Sequence, residues 1–263
     1  MPEIPDVEIY KRYIDATSLH RRVAHAMVRD TRLLECSPST LRRHLQGHRL
    51  TETRRHGKYL FAHLEHGPWL LLHFGMTGRP VAWEAGSEEP DFVQLRLDFD
   101  DGRHLAYRNT RKLGTLGIVD EPESTIREHD LGPDALELDL DGFRERLEGR
   151  RGALKPTLMN QTVIAGLGNV WTDEILFQAR LHPETPVADL DTATERKLFK
   201  TMRRVVGEAI GFKADPDRAP SRYLVQRRDP GAPCPGRCSG EVEKITVSGR
   251  AGYYCPRCQT RES

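Results

Sequence analysis

Near its C-terminus the chain reads Cys234-Pro-Gly-Arg-Cys238, and sixteen residues later it reads Cys255-Pro-Arg-Cys258. Two close thiol pairs separated by a hairpin-length insert have the spacing of a tetrahedral zinc site. Such a site stabilises a module that is too small to have its own hydrophobic core. The insert contains residues 245–250, Ile-Thr-Val-Ser-Gly-Arg, which predict a strand, a turn and a second strand with Arg250 just after the turn. The sequence therefore predicts a C-terminal zinc-finger hairpin with one structural Zn²⁺, whose ligands are Cys234, Cys238, Cys255 and Cys258.

The same cysteine spacing also fits two disulfides in a secreted domain. The chain shows no signal-peptide pattern at its start, which favours zinc. Its longest apolar run, from Trp69 to Phe74, includes His73 and is far shorter than the roughly 18 residues of a membrane-spanning helix. We therefore expect a soluble, cytoplasmic protein without membrane association, in which Cys36 is an isolated thiol.

Charge is distributed unevenly, although the formal net charge is only +1. Residues 221–263 contain eight Lys or Arg against four Asp or Glu, which gives a local charge of +4. Residues 120–141 contain nine acidic residues against one arginine. A basic zinc module beside an acidic stretch is typical of a nucleic-acid-binding protein, although plain solvation also explains many such charge patterns.

The first 120 residues predict a β-rich domain that is led by one helix. Val7, Tyr10 and Ile14 share one helical face, and Asp6 is the predicted N-cap. Strand-like stretches follow, with a hairpin signal at Asp101-Gly102. These stretches are 23–28, 50–64 with a break near Gly57, 69–74, 92–99 and 104–108.

Helical periodicity replaces strand alternation after a linker that contains Pro122, Gly132 and Pro133. The predicted helices cover residues 140–147, 158–166 and 169–179, and a last long helix begins with a capping box at Thr192. The sequence thus predicts an α+β multidomain chain. Its predicted segments are an N-terminal domain at 1–120, a linker at 121–133, a helical domain at 134–212, a loop at 213–233 and the zinc finger at 234–263.

The N-terminus carries the most reactive pair of groups. Removal of Met1 would make Pro2 a free secondary amine, which can attack an aldehyde or masked aldehyde and form an iminium. The neighbouring Glu3 can transfer protons. Many chains begin with Met-Pro, so the pair by itself does not establish a reaction.

Further residues suit contact with a polyanion. Gly166 and Gly168 precede Asn169, which predicts a helix start capped by Asn169 whose free amides bind phosphate. Lys58 at the strand break can project into a groove, and the glycine-flanked Met76 can act as a wedge. The basic residues that can face a phosphate backbone are Arg150, Arg151 and Lys155. Taken alone, each feature also fits an ordinary connection, a core methionine or a solvated cation.

Together these residues resemble the formamidopyrimidine-DNA glycosylase and endonuclease VIII family, and its formamidopyrimidine branch more closely. The resemblance covers nearly the whole chain, and the motifs occur in the family's order. They are residues 2–8, 58–60, 73–78, 131–136, 155–174 and 250–259. Each motif is weak alone, whereas six in order are highly specific.

The resemblance implies an N-terminal β-sandwich with a leading helix, a central helix–two-turn–helix domain and the zinc finger. It also implies a bifunctional base-excision enzyme that flips a damaged nucleotide out of duplex DNA. Pro2 would attack C1′ while Glu3 protonates the sugar ring oxygen, and β- and δ-elimination would then cleave the strand. Lys58 would hold flanking phosphates and aid proton transfer, and Asn169 and Arg250 would clamp phosphates around the flipped nucleotide. The implied wedge residues are Met76, Arg111 and Leu113.

The chain departs from the family pattern in several places. Leu113 replaces the usual wedge phenylalanine and stacks less well on a base, and Pro90 replaces a histidine that often contacts DNA. Asp6 replaces the usual glutamate, and residues 211–229 are short for a loop that covers 8-oxoguanine. The preferred base therefore stays open.

Two other classes of protein also stay open. One is a non-catalytic or specialised-adduct DNA-damage-binding protein on the same scaffold. The other is an unrelated zinc-ribbon module, which would leave the N-terminal motif unexplained. The family resemblance implies a monomer that binds damaged double-stranded DNA at a bacterial-type nucleoid.

Overall fold

A computed structural model describes residues 1–236 and 238–260, so Arg237 and residues 261–263 of the predicted zinc finger lie outside the described residues. Packing divides the chain into two units. The first contains residues 1–2 and 6–129, and the second contains residues 3–5 and the chain from residue 130 onward. Within the described part of the chain, the helices are too short or too polar to cross a membrane.

Two antiparallel sheets form the first unit. Their strands are β1 (Val23–Val28), β2 (Leu50–His56), β3 (Tyr59–Leu64), β4 (Trp69–His73), β5 (Arg79–Glu84), β6 (Val93–Phe99), β7 (Arg103–Arg108) and β8 (Thr115–Val119). The strand orders are β1-β6-β7-β5 and β2-β3-β4-β8. Alternating apolar residues of both sheets, such as Leu60, Leu72, Leu95 and Leu105, share one core. This is the packing of a β-sandwich, as the family resemblance implies.

Three helices accompany the sheets, namely α1 (Ile4–Ser18), α2 (Pro38–Leu45) and α3 (Pro122–Glu128). Val7 and Ile14 of α1 pack into the sandwich core. Asp6 lies in the first turn of α1 instead of at its N-cap, so that detail of the prediction is wrong. The α3 helix lies inside the segment predicted as a linker. It starts at Pro122, where the missing N–H of proline has no intrahelical partner to lose.

The second unit is mainly helical. Its helices are α4 (Leu140–Leu147), α5 (Leu154–Met159), α6 (Asn169–Ala179) and α7 (Thr192–Gly211), with short 3-10 turns at Val187–Asp189, Pro216–Arg218 and Leu224–Arg227. All four α-helices contribute to one core, for example through Phe143, Leu158, Ile175 and Met202. The last two 3-10 turns lie in the segment that the sequence predicts as a loop.

The predicted helix at 158–166 is wrong. The α5 helix begins earlier and ends at Met159, because the chain turns at Asn160, whose Oδ1 accepts a hydrogen bond from the Thr162 N–H at 3.0 Å. Pro156 lies in the first turn of α5, where a proline removes no intrahelical hydrogen bond. Pro156 is therefore compatible with a helix that starts at Leu154, four residues before the predicted start.

Asp191 is the N-cap of α7, so the prediction of a capping box with its N-cap at Thr192 is wrong. The Asp191 Oδ1 accepts a hydrogen bond from the Thr194 N–H at 2.7 Å. Asp caps as effectively as Ser or Thr because its side-chain oxygen reaches the same orphan amides.

The C-terminal hairpin consists of β9 (Glu243–Val247) and β10 (Arg250–Tyr254). Both residues of its turn have positive φ, 48° at Ser248 and 75° at Gly249, as a two-residue type I′ turn requires. Arg250 is the first residue after the turn, as predicted.

Candidate functional site

The Glu3 carboxylate caps the start of α6. Its Oε1 accepts a hydrogen bond from the Val170 N–H at 2.8 Å, and its Oε2 accepts one from the Trp171 N–H at 3.1 Å. A helix start leaves such amides without an intrahelical partner, and the helix dipole adds attraction for a negative charge. Since Glu3 is only 2% exposed, both oxygens are held in one orientation within the second unit.

Two glycines make this approach possible. A Cβ on Gly168 would overlap the Glu3 carboxylate, and a Cβ on Gly166 would overlap the Ile4 side chain. The Ile4 N–H also donates a hydrogen bond to the Gly166 carbonyl at 2.9 Å. The close approach that the glycine spacing predicts is thus made by residues 3 and 4 of the chain itself. The α6 amides predicted to be free for phosphate are occupied by Glu3.

Asn169 is the first residue of α6 and does not cap it. Gly168 is the N-cap and has no side chain with which to bond the helix amides. The predicted Asn169 cap is therefore wrong, because Glu3 takes over that role from a distant part of the sequence. Pro2 directly precedes Glu3 and is partly exposed, and Met1 is exposed. Removal of Met1 would consequently create an amine one residue from a fixed carboxylate.

Lys155 is buried instead of facing solvent. Its Nζ donates hydrogen bonds to Asp173 and, at 3.1 Å, to the Ala251 carbonyl of β10. Both Lys155 and Asp173 have no exposed side-chain surface. The sequence-based prediction that Lys155 contacts a phosphate backbone is therefore wrong, because its ammonium is already neutralised inside the second unit.

Asp173 is the centre of this ionic network. Besides Lys155, its carboxylate accepts hydrogen bonds from Arg228 at 2.7 Å and from the Tyr253 N–H at 3.2 Å. Burial raises the pKa of Asp173, and the two cations oppose that shift. Burial likewise lowers the pKa of Lys155, and the Asp173 charge opposes it. The network connects α5, α6 and β10, so it braces the hairpin that carries Arg250.

The four predicted zinc ligands lie together. Their Sγ atoms are all within 4.8 Å of one another, with separations of 3.7 Å for Cys234–Cys258, 3.6 Å for Cys238–Cys255 and 3.2 Å for Cys238–Cys258. A tetrahedron with Zn–S bonds of about 2.3 Å places its sulfurs about 3.8 Å apart. All four thiols are free, so the alternative of two disulfides does not hold. The donor set and its dimensions fit zinc.

Three of the predicted DNA-contacting cations are exposed in the second unit. Arg150 and Arg151 lie exposed in the connection between α4 and α5, and Arg250 is exposed at the start of β10. The Arg150 Nε donates to the Arg146 carbonyl at 2.7 Å, which orients the guanidinium without neutralising it. These three side chains are accessible to an anionic partner.

Lys58 lies in the turn between β2 and β3, next to Gly57, whose φ is 55°. The turn places Lys58 close enough to His73 at the end of β4 to act on it. Burial, the Lys58 charge and His129 together lower the pKa of His73 to about 4. The Tyr59 ring lies 4.8 Å from the His73 ring. Lys58 thus belongs to a polar cluster in which His73 is neutral near physiological pH.

The predicted wedge residues lie in two contacting loops of the first unit. One loop connects β4 and β5, and the other connects β7 and β8. Met76 and Leu113 are 39% and 53% exposed, and Arg111 is exposed as well. A Cβ on Gly75 would overlap the Leu113 carbonyl, and one on Gly114 would overlap the His73 carbonyl region. The two loops therefore touch through backbone, and their exposed tips are brought together.

Asn109 organises these loops, a role that its sequence context does not predict. Asn109 is fully buried, and its Oδ1 accepts hydrogen bonds from Thr77 Oγ1 at 2.8 Å, from the Lys112 N–H at 2.9 Å and from the Arg111 N–H at 3.2 Å. Its Nδ2 donates to the Tyr107 hydroxyl at 2.9 Å. A polar residue just after an apolar strand is a weak signal in a sequence. Asp173 had a better signal, since Asp173 and Glu174 are adjacent carboxylates between the apolar residues Trp171 and Ile175 of one helix.

Three family models match consecutive parts of the chain. The formamidopyrimidine-DNA glycosylase N-terminal domain matches residues 1–116, and the formamidopyrimidine-DNA glycosylase H2TH domain matches residues 131–219. A zinc finger found in FPG and IleRS matches residues 231–261.

Curated relatives and solved structures agree with these matches. The formamidopyrimidine-DNA glycosylases of Heliobacterium modesticaldum and Geobacter metallireducens are 34% and 33% identical to the chain, over 98% and 99% of it and all of each relative. A Lactococcus lactis Fpg mutant bound to a THF-containing DNA has a TM-score of 0.89 at 26% identity, covering 99% of this chain and 100% of that one. MutM in complex with carbocyclic 8-oxo-G containing DNA has a TM-score of 0.88 at 28% identity, with the same coverage.

Proposed function

This chain belongs to the formamidopyrimidine-DNA glycosylase family and is a DNA glycosylase of base excision repair, and we propose that it also cleaves the abasic site that it creates. The proposed substrate is damaged double-stranded DNA, bound by a monomer. We expect the enzyme to work in the cytoplasm at a bacterial-type nucleoid, without membrane association. We propose the following segments: a catalytic β-sandwich domain at 1–120, a linker at 121–133, a helix–two-turn–helix domain at 134–212, a loop at 213–233 and the zinc finger at 234–263.

Pro2 is the proposed nucleophile once Met1 has been removed. Its secondary amine attacks C1′ of the flipped nucleotide, the glycosidic bond breaks, and the base leaves with the bonding electrons. Opening of the sugar ring produces an iminium between the Pro2 nitrogen and C1′. The iminium makes the C2′ proton acidic, so loss of that proton expels the 3′ phosphate. A second elimination expels the 5′ phosphate.

Glu3 is the proposed proton-transfer group of this reaction. The amides of Val170 and Trp171 hold its carboxylate, so the group next to the nucleophile is preorganised. In this role Glu3 accepts a proton and delivers it to the sugar ring oxygen, which assists ring opening. The fixed carboxylate beside Pro2 is the observation that carries the proposal.

The other predicted residues serve to hold the DNA. Lys58 would contact phosphates near the flipped nucleotide and aid proton transfer, and Asn169 and Arg250 would clamp phosphates. Arg150 and Arg151, both exposed, would add contacts to the backbone. The wedge that replaces the flipped nucleotide would consist of Met76, Arg111 and Leu113. One structural zinc ion on the four cysteines would keep the Arg250 hairpin folded.

Trapping with borohydride tests the proposal. The protein with Met1 removed is mixed with duplex DNA that contains an abasic site, and borohydride reduces any iminium to a stable covalent complex. We expect a trapped complex with wild type and none when a retained N-terminal extension blocks the Pro2 nitrogen. Absence of a complex with the processed wild type would refute the enzymatic mechanism.

The alternative is a non-catalytic or specialised-adduct DNA-damage-binding protein. Leu113 and Pro90 support it, since both replace residues that serve DNA contact in the family pattern. A panel of duplexes with different lesions, assayed for base release and for strand cleavage, separates the two. Selective binding without release of any base would favour the alternative.

A further inference from the structure

We propose, resting on the proposed function, that Phe92 is a further DNA-contacting residue that stacks on an unpaired base beside the wedge. Phe92 is 54% exposed, as much as Leu113 at 53%. A half-exposed aromatic ring leaves apolar surface in water, but a single such residue is ordinary, so its backbone and its neighbours decide whether it marks a contact site. Phe92 has no part in the function described so far.

The backbone of Phe92 is strained and is held in that state. Its φ is +61°, in the left-handed region where a bulky side chain is rare and costs free energy. The Phe92 carbonyl accepts hydrogen bonds from the Asn109 N–H and from Gln94 Nε2, both at 3.0 Å. Gln94 and Asn109 are buried, so they fix this backbone geometry. A strained, exposed and firmly held aromatic residue is placed there for contact with something outside the chain.

The same buried asparagine holds the wedge loops. Asn109 bonds Phe92 through its backbone N–H, and it bonds Thr77, Arg111 and Lys112 through its side chain. Three segments that each present an exposed apolar residue are thus anchored on one residue. Phe92 therefore lies in a segment that is anchored beside the two wedge loops.

Two arginines near Phe92 are available to an anionic partner, although the exposed Asp91 directly precedes Phe92 in the chain. The Arg108 guanidinium lies 5.3 Å from the centre of the Phe92 ring. Arg108 stands directly opposite Arg79 in the β5–β7 pairing, an arrangement of like charges that destabilises a sheet. Arg108 donates from Nε to the Asp91 carbonyl, and neither arginine has a carboxylate partner within the part of the chain that the structure describes. A DNA phosphate would relieve this repulsion while the ring meets a base.

Stacking also supplies what the wedge lacks. Leu113 and Met76 can separate bases, but neither presents an aromatic face to them. Base–aromatic stacking is worth about 1–3 kcal/mol per base in alanine substitutions, which corresponds to about 5- to 140-fold in affinity. Phe92 is the exposed aromatic residue of this segment that can provide it.

The test compares Phe92→Ala, Phe92→Trp and wild type in binding to a duplex with a tetrahydrofuran abasic analogue opposite 2-aminopurine. We expect Phe92→Ala to bind about 5- to 140-fold more weakly, and its complex to fluoresce more brightly because the 2-aminopurine is no longer stacked. Phe92→Trp should bind and quench at least as well as wild type. Met27→Ala removes a comparably exposed side chain from β1 and should bind like wild type.

Three results would overturn the inference. They are unchanged affinity of Phe92→Ala, an equal loss on an undamaged duplex of the same sequence, and a Phe92→Trp complex as bright as that of Phe92→Ala. Thermal unfolding supplies the structural check. Since alanine tolerates the left-handed region better than phenylalanine, Phe92→Ala should melt no lower than wild type. Borohydride trapping of wild type separates the proposed lyase function from the stacking role of Phe92. If wild type is trapped and Phe92→Ala binds like wild type, only the role of Phe92 is refuted.

Discussion

Gly168→Ala is the sharpest single test of the Glu3 arrangement. The φ and ψ of Gly168 are −132° and −165°, an extended conformation that alanine adopts without strain. The added Cβ would overlap the Glu3 carboxylate, which therefore has to leave the α6 amides. The substitution thus displaces Glu3 without removing it.

The size of the effect follows from the two hydrogen bonds that are lost. Each joins a charged acceptor to an amide, at 2.8 and 3.1 Å, and such bonds contribute about 1.5–3 kcal/mol each. Water at the opened site recovers part of this, so we expect a loss of unfolding free energy of about 2–4 kcal/mol. Misplacing the proton-transfer group should slow the chemical step about 100-fold or more.

The assay is single-turnover cleavage of duplex DNA with an abasic site, together with the rate of borohydride trapping. Gly207→Ala is the matched control, because a Cβ at this exposed position of α7 meets nothing within 4 Å. That control should gain about 1 kcal/mol of stability and keep its rate. Glu3→Gln should be slow as well, and combining it with Gly168→Ala should slow the reaction little further, because both changes act on one group. A folded Gly168→Ala protein with the wild-type rate would refute the proposed role of Glu3.

Three further predictions concern stability. Lys155→Met should lower the unfolding free energy in urea by about 3 kcal/mol by removing one cation from buried Asp173, and adding Asp173→Asn should restore part of the loss. Because the pKa of His73 is lowered from 6.5 to about 4, its neutral form contributes stability that is complete above pH 6.5 and lost towards pH 4. Wild type should lose about 2 kcal/mol between pH 8 and pH 5 that a His73→Gln protein does not lose, and parallel curves would contradict this. Chelation of zinc should remove amide-exchange protection from the C-terminal hairpin and leave the first-unit sheets protected; retained protection in the hairpin would show that zinc is not its main support.

The secondary structure that the sequence predicts well is set by local patterns. The strand at 23–28 and the helices at 140–147 and 169–179 have the predicted bounds, because apolar periodicity there agrees with packing in the unit concerned. The helix around Pro156 was misplaced by several residues. Its end is set by a side-chain hydrogen bond of Asn160 to the backbone, and such a bond leaves no trace in hydrophobic periodicity.

The candidate site was predictable in its residue types and less so in its contacts. The glycines before α6 did indicate a close approach, but its partner lies more than 160 residues away in sequence, at Glu3. For Lys155, too, the sequence does not reveal the distant partner, and here it led to a wrong prediction of exposure. A lysine near Arg150 and Arg151 looks like part of a solvated basic face, and only the Asp173 carboxylate, eighteen residues later, makes its burial favourable. Long-range electrostatic pairing decided both outcomes.

The α6 helix explains why the zinc finger belongs to the same unit as Glu3, the proposed proton-transfer group. Its first amides hold Glu3, and one turn later Asp173 holds the Tyr253 N–H of β10 and, through Lys155, the Ala251 carbonyl. A single rigid helix turn therefore sets the distance between the proton-transfer group and the hairpin that presents Arg250. Zinc keeps the hairpin folded, and the buried ionic network fixes where it sits on α6. Loss of either support would move Arg250 relative to Glu3, so both should affect the reaction even though neither touches the substrate.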